Sequence, residues 1–392
     1  MGVLNGIVKP GFEAVATEFE ANFRHRGDTG AAFSAVVAGE MVVDLWGGWT
    51  DEQCRKSWDA ETIACIFSGS KGLVATCLLL LLERGLLDLE SPVAEYWPEF
   101  AAAGKDRILV RHVVSHCAGM PGLLTPVSVI DATNNVRMAQ LLAEQPPICP
   151  PGIGLNYHAL TFGWLSGALI RRIDGRSVGR MFAEDVARPL GLSAWIGLPA
   201  DQEPRVATLK RGANFGVRTQ ARPQDETLVW SMFENPPRFS SDPMPANTRS
   251  WRAAEIPASN GMATARAMAY LYGCLGAGGE IAGFHLLAAD TISHGTVPLC
   301  RGYEPVIGRE MAYGVGFQLQ TPASLFGRPA TAFGHDGAGG SMHGAWPDLR
   351  TGFSYLTNTL LPSQGADPRS LALLDALHGC VDGAHASGSP HD

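Results

Sequence analysis

The sequence predicts an α/β protein in which one β-sheet is built from both ends of the chain and a mostly helical segment is inserted between them. Two β-rich runs in "AAFSAVVAGEMVVDLWGGW" flank a short turn, a pattern typical of a hairpin. Helical patterns alternate with Pro/Gly loops in the middle of the chain, and β patterns return near the end. We expect an α/β domain from residues 1–91 and 305–380, a helical insertion at 92–304 and a disordered tail at 381–392.

Helical periodicity is clear in two N-terminal segments. In "GFEAVATEFEANFRH" the side chains of Phe12, Val15, Phe19 and Phe23 recur at helical spacing. A second, almost wholly apolar helix begins near "SGSKGL" and is predicted to end just before Gly85. Further helices are predicted in "VRHVVSHC", "VRMAQLLAEQ", "LTFGWLSGALIRRI" and "SVGRMFAEDVARPL". Strands are predicted in "AYGVGFQLQ", "ATAFGH", "SMHGAWP" and "TGFSYLTN", with a last helix in "RSLALLDALHGCV".

Composition and charge exclude several classes of protein. The 392 residues are 46% hydrophobic and 17% charged, which favours a well-buried globular protein over a disordered one. The net charge is −8 and the basic residues are scattered, so we expect neither a nucleic-acid-binding face nor a membrane-binding basic run. The N-terminus lacks a signal-peptide pattern, and the longest apolar run, "LVATCLLLLL", is too short to span a bilayer. We therefore expect a cytoplasmic protein.

The eight cysteines are widely spaced and form no CxxC pair, and several lie in apolar stretches. We therefore expect free, buried thiols in a reducing compartment. A disulfide scaffold is not favoured in a chain of this length.

The stretch "FSGSKGL" places Ser68 three residues before Lys71 at the start of the apolar helix. Residues three apart share a helix face, so the lysine amine can reach the serine hydroxyl and take its proton. The N–H of a serine in the first turn also lies at the positive end of the helix, where it suits a developing oxyanion. Serine is, however, a common helix N-cap. Spacing alone therefore leaves two interpretations open, a nucleophile with its base or a polar start to an ordinary helix.

Several further segments, in order along the chain, carry a resemblance to a known family. They are "ILVRHVVSHCAGMPGL", "GRSVGRMFAEDVARPLGL", "IPASNGMATARAMAYLY", "YGVGFQL", "GHDGAGGSMHGAWPD" and "FSYLTN". Together with "FSGSKGL" they resemble the serine β-lactamase and penicillin-binding-protein superfamily, and specifically its class C-like esterases, the family VIII carboxylesterases. The resemblance covers nearly the whole chain. It implies a β-lactamase-like fold, an antiparallel sheet flanked by helices with a mostly helical inserted domain.

The resemblance implies three catalytic residues. Ser68 matches the nucleophile and Lys71 the lysine of S-x-x-K, and Tyr157 in "GLNYHAL" matches the tyrosine of the family's Y-x-N motif. The third position of that motif is Ala159 instead of Asn, a departure that puts efficient β-lactam hydrolysis in doubt. Without the resemblance, Tyr157 is better interpreted as a packed tyrosine in a Pro/Gly-rich loop.

The same resemblance implies an oxyanion hole and a set of substrate-binding residues. The backbone N–H groups of Ser68 and Ala338 are expected to form the oxyanion hole. The motif "HDG" stands where β-lactamases have K-T-G, so no fixed cation is expected for the carboxylate of a β-lactam. The predicted substrate-binding residues are His335, Asp336, Gly337 and Gly339.

These features predict a serine carboxylesterase that hydrolyses small, short-acyl esters through an acyl-enzyme on Ser68. The expected partner is a small-molecule ester; no nucleic acid, membrane, metal or organic cofactor is needed, and a homo-oligomer is left open. One alternative is a D-amino-acid amidase, peptidase or weak β-lactamase with the same site. Another is a non-catalytic binding protein on the same fold. Five aromatic residues of the insertion are candidates to line an apolar acyl pocket, with ordinary core packing the favoured interpretation for each one: Trp195, Trp230, Phe233, Phe239 and Trp251.

Overall fold

In the computed structural model, which describes residues 4–216, 226–362 and 366–387, the longer strands come from the two ends of the chain. The strands are β1 (Leu4–Val8), β2 (Gly30–Val37), β3 (Glu40–Gly48), β4 (Ala64–Phe67), β5 (Ala194–Trp195), β6 (Lys210–Arg211), β7 (Gly261–Ala263), β8 (Glu280–Ile281), β9 (Phe284–His285), β10 (Cys300–Glu304), β11 (Arg309–Tyr313), β12 (Gln318–Leu319), β13 (Phe333–Asp336), β14 (Met342–Trp346), β15 (Thr351–Thr357) and β16 (Thr359–Leu360).

The helices lie mainly between these two groups of strands. They are α1 (Glu13–His25), α2 (Ser70–Glu83), α3 (Val93–Tyr96), α4 (Val110–Val114), α5 (Asn135–Glu144), α6 (Thr161–Asp174), α7 (Val178–Phe182), α8 (Glu226–Phe233), α9 (Arg249–Ala253), α10 (Ala265–Gly276), α11 (Ala289–Gly295) and α12 (Pro368–Ser387). Short 3₁₀ or π turns cover Pro98–Gly104, Asp131–Thr133, Ala183–Ala187, Ala200–Arg205, Pro245–Asn247 and Pro347–Leu349.

The central sheet has nine strands in the order β1-β3-β2-β15-β14-β13-β12-β11-β10, and its neighbouring strands are antiparallel. The predicted hairpin is present, because β2 and β3 pair with Val37 opposite Glu40. A smaller sheet, in the order β4-β7-β5, leads into α2. The antiparallel sheet flanked by helices agrees with the α/β architecture that the sequence predicts.

Helices cover both faces of the central sheet. On one face α1 packs against α12, and the buried side chains of Val15 and Phe19 join Leu373 and Leu377 in one apolar cluster. This is the helical spacing that the N-terminal sequence predicts. On the other face α10 packs against β2, β14 and β15, and its cluster continues through the apolar α2 into the helical region. Burial of α2 on all sides explains its almost wholly apolar sequence.

The observed boundaries differ from the predicted ones at a few points. The apolar helix begins at Ser70, two residues after Ser68, and Gly85 follows its end with a φ of 66°. The last helix continues to Ser387, past the predicted start of the tail, and residues 388–392 lie outside the described residues. The division of the chain into two domains stays a prediction. Among the described residues, no helix combines the length and apolar character needed to cross a bilayer.

The cysteines correct one expectation. Cys117, just after α4, is joined to Cys300 at the start of β10 by a disulfide across 183 residues of sequence. The prediction of free thiols is therefore wrong for this pair, because the fold brings together two distant segments whose spacing carries no local signal. Cys65, Cys77 and Cys274 are buried thiols, as expected.

Candidate active site

Ser68 lies in the turn between β4 and α2 and lines a cavity. The residue before it, Phe67, has a φ of 43°, in the left-handed region that bulky side chains rarely occupy. The turn leaves Ser68 partly exposed while Phe67 and Gly69 are buried. A Cβ on Gly69 would lie 2.5 Å from Cδ2 of His343, so the close packing here requires glycine. The backbone of this turn therefore presents the Ser68 hydroxyl to the cavity.

Lys71 lies on the first turn of α2 and is fully buried. Its Nζ is 3.2 Å from Oγ of Ser68, as the three-residue spacing predicts. Nζ also donates to the backbone carbonyls of Ala159, at 2.9 Å, and Ala258, at 3.0 Å. Burial lowers the pKa of Lys71 well below its usual value of 10.5, and the nearby positive charge of Arg238 lowers it further. The sequence did not predict these two contacts. Every residue has a backbone carbonyl, so no residue type indicates which carbonyls will accept a hydrogen bond from Lys71.

Tyr157 reaches Ser68 from the loop before α6. Its hydroxyl donates to Oγ of Ser68 at 2.9 Å, across 89 residues of sequence. Its ring centroid lies 4.9 Å from Nζ of Lys71. Burial raises the pKa of Tyr157 above its usual value of 10.0, and the negative charge of Asp336 raises it further, so the phenol is neutral near pH 7. The structure thus brings the three predicted catalytic side chains together around one oxygen atom.

Two backbone N–H groups at the site, those of Ser68 and Ala338, have no acceptor among the residues that the structure describes. Ala338 lies in the turn between β13 and β14 and lines the same cavity as Ser68. This turn is closed by Gly337, whose N–H donates to the carbonyl of Ser341 at 2.8 Å. Free backbone donors at a cavity are the groups that stabilise negative charge developing on a substrate oxygen.

Arg369, on α12, also fixes this turn, and sequence reasoning missed it. Its side chain is fully buried, and Nη2 donates to the carbonyl of Gly339 at 2.7 Å. Asp28 and Asp367 pair with the guanidinium at 2.9 and 2.8 Å. Because the turn and the arginine are 30 residues apart in sequence, no local pattern signals the contact.

The predicted substrate-binding residues occupy different environments. Asp336 lines the cavity and pairs with Arg309 at 3.1 Å. His335 is fully buried, and its Nδ1 lies 2.8 Å from the carbonyl oxygen of Asp336. Burial lowers the pKa of His335 to about 4, so the ring is neutral near pH 7. Gly337 and Gly339 lie in the turn around Ala338 and shape its backbone. Their roles in substrate binding stay predictions.

The cavity at Ser68 has a volume of about 220 Å³ and mostly apolar walls. Two of the aromatic residues singled out in the sequence, Phe233 and Phe239, line it, whereas Trp251 is buried in the core. The apolar lining also includes Phe67, Ile307 and Met311. A small, apolar cavity suits a short acyl chain better than a long one.

Two arginines, Arg238 and Arg309, also line this cavity. The expectation that the site lacks a fixed cation is therefore wrong. It was drawn from the one position at which His335 replaces a lysine, whereas both arginines belong to other segments of the chain. Only the fold shows that their side chains meet at the cavity.

Ser70, the other serine of the motif, has a structural role. It is fully buried, and its Oγ donates to the carbonyl of Phe67 and accepts from the N–H of Gly261 at 2.7 Å. Ser70 thereby ties the start of α2 to β4 and β7. Among the contacts of the described residues, its hydroxyl forms none with Lys71, as expected for adjacent residues on a helix.

The chain is similar to known proteins over most of its length. A family model described as "Beta-lactamase" matches residues 19–378. The chain is 36% identical over 371 residues to "Esterase/beta-lactamase LipL" of Mycobacterium tuberculosis, covering 91% of this chain and 83% of that protein. A solved family VIII carboxylesterase aligns with a TM-score of 0.90 at 36% identity, covering 96% of this chain and 100% of that one. A penicillin-binding protein homolog from Caulobacter crescentus aligns with a TM-score of 0.88 at 35% identity, with the same coverage of both chains.

Proposed function

The chain belongs to the Beta-lactamase family and is a serine hydrolase of the esterase type, and we propose that it hydrolyses small, short-acyl carboxylic esters through an acyl-enzyme on Ser68. One observation carries the proposal: in an apolar cavity, Oγ of Ser68 lies 3.2 Å from Nζ of Lys71 and 2.9 Å from the hydroxyl of Tyr157. Two groups able to move the proton of the nucleophile are thus each within hydrogen-bond reach of its oxygen.

The contacts of Lys71 support it as the primary base. A neutral amine has two N–H bonds and one lone pair. The carbonyls of Ala159 and Ala258 accept two N–H bonds, which directs the lone pair to the remaining neighbour, the hydroxyl of Ser68. Burial favours this neutral form of Lys71, and burial also disfavours a phenolate on Tyr157. We therefore assign proton abstraction to the amine.

The reaction then follows in two halves. The Oγ of Ser68 attacks the ester carbonyl and its proton passes to Lys71, while the N–H groups of Ser68 and Ala338 stabilise the oxyanion. The bond to the alcohol oxygen breaks, and Tyr157 passes a proton from Lys71 to the departing alcohol. Water next attacks the acyl-enzyme and gives its proton to Lys71. The bond between the acyl carbon and Oγ of Ser68 then breaks, Oγ takes that proton back from Lys71, and the acid leaves.

If neutral Lys71 is the base, kcat/KM should depend on pH in a specific way. Because the neutral amine is active and its pKa lies well below 10.5, kcat/KM should rise with pH and level off well below that value. Arg238 contributes to the low pKa of Lys71, so Arg238→Gln should shift the midpoint of the rise to higher pH. The measurement is a pH–rate profile of both proteins on a neutral ester. A midpoint at the usual lysine value in the wild type would contradict Lys71 as a neutral base.

A second candidate function is β-lactam hydrolysis, which Arg238 favours because a β-lactam carboxylate would find a cation in the cavity. We still expect esters to be better substrates, since an ester needs no protonation of an amide nitrogen and Ala159 offers no side-chain amide. The test compares kcat/KM for 4-nitrophenyl esters of graded acyl length with that for nitrocefin. Short-chain esters should be hydrolysed most efficiently. An equal or higher kcat/KM on nitrocefin would favour a lactamase.

A further inference from the structure

Arg238 is a buried cation in the cavity of Ser68 that no carboxylate of the described residues neutralises. It lies in the loop between α8 and α9, is only 7% exposed, and lines the cavity. Its one side-chain hydrogen bond within the described part of the chain runs from Nη1 to Oγ of Ser259, at 3.4 Å. Its buried Nε has no partner there. Glu234 acts on Arg238 only at longer range, from an exposed position.

Arg309, the other arginine that lines the cavity, differs from Arg238 because it has a carboxylate partner. Arg309 pairs with Asp336 at 3.1 Å, so these two charges cancel locally. Burial lowers the pKa of Arg238 to about 10, and the group remains charged near neutral pH. With Lys71 neutral, the described residues that line the cavity carry one positive charge in excess. A buried charge without a partner is costly, and proteins retain one where a ligand supplies the counterion.

We propose that Arg238 binds a carboxylate on the substrate, so that the preferred substrates are short esters that carry one anionic group. The proposal rests on the proposed esterase function and specifies its substrate class. A guanidinium presents two parallel N–H donors that match the two oxygens of a carboxylate. The resulting charge-assisted hydrogen bonds are stronger where water is excluded. A single arginine without a carboxylate partner among the described residues suits a monoanion; a phosphate dianion would need a second such cation. The Phe239 ring, whose centroid lies 5.1 Å from Cζ of Arg238, provides an apolar wall beside it.

The experiment uses two pairs of esters that differ in charge, one for each side of the ester bond. Monomethyl glutarate is paired with methyl pentanoate, and 4-acetoxybenzoate with methyl 4-acetoxybenzoate. Acid or phenol release gives kcat/KM for each ester, and the readout is the ratio of the anionic to the neutral member. This ratio cancels any general effect of a variant on Lys71. The proteins are the wild type, Arg238→Gln, Arg238→Lys and, as a charge-matched control, Arg301→Gln on the exposed edge strand β10.

In the wild type we expect at least one pair to favour the anionic member by about tenfold or more, as for a buried charge-assisted hydrogen bond. Arg238→Gln should abolish that preference, Arg238→Lys should retain part of it, and Arg301→Gln should leave it unchanged. Equal kcat/KM within both pairs in the wild type would overturn the inference even if no Arg238 variant folds, as would an unchanged ratio in Arg238→Gln. A wild type that hydrolyses the neutral esters but shows no anionic preference refutes this inference alone, whereas one that hydrolyses none of the four esters refutes the proposed function.

Discussion

Replacing Ser68 with alanine is expected to remove ester hydrolysis, with kcat falling by at least about 10⁴-fold, the scale seen when a serine nucleophile is lost. The fold should persist, because the Ser68 side chain is partly exposed and its contacts are to Lys71 and Tyr157 at the cavity. The measurement is steady-state hydrolysis of a short-chain 4-nitrophenyl ester, with circular dichroism to check the fold. In the wild type, mass spectrometry after treatment with a serine-directed phosphonate should locate the adduct on Ser68.

Ser70→Ala is the matched control for this prediction. It deletes the same atom two positions away, but that atom joins Phe67 to Gly261 and is fully buried. We expect lower thermal stability, retained hydrolysis and an unchanged adduct on Ser68, since a lost buried hydrogen bond costs about 1–3 kcal/mol. An adduct on Ser70, or full activity in Ser68→Ala, would show that the nucleophile is misassigned. Absence of any adduct on the wild type would instead favour a binding protein.

Replacing Lys71 with arginine is expected to cause the second large loss of activity. A guanidinium keeps the positive charge but cannot become neutral in a protein, so it cannot accept the proton of Ser68. We expect the chemical step to slow by at least about a hundredfold, the usual scale for removal of a general base. Single-turnover kinetics with an activated ester would measure acylation directly. A mild effect would mean that Lys71 only positions Ser68 and that another group is the base.

Lys105→Arg separates loss of the base from damage to the core. Lys105 is also fully buried, and its Nζ donates to the carbonyls of Ala102 and Ala143, at 2.8 and 2.9 Å, and to that of Gln145. It forms no contact with Ser68 among those described. Both variants should lose stability through the larger buried group, whereas only Lys71→Arg should lose acylation. Equal losses of activity in the two variants would attribute the effect to packing.

Local sequence patterns account for the elements and for part of the site. Apolar spacing located α1, and the turn residues of the hairpin located β2 and β3. The contact between Ser68 and Lys71 is also local, because three residues of helix-like chain suffice to bring Nζ within 3.2 Å of Oγ. Tyr157 lies 89 residues from Ser68, and only the family resemblance placed it at the site. The family and fold class expected from that resemblance are confirmed.

The sequence by itself therefore determined the periodic elements, the family and the pairing of Ser68 with Lys71, all of which depend on residues close together in the chain or on ordered motifs. The tertiary structure alone decided the disulfide between Cys117 and Cys300, the low pKa of Lys71 and the lack of a carboxylate partner for Arg238 among the described residues. The physical reason is the same in each case. Whether a cysteine meets a partner, how far a lysine is removed from water and whether an arginine meets a carboxylate all depend on which distant segments surround the side chain. Burial changes the free energy of a charged group, and no local sequence pattern predicts that change.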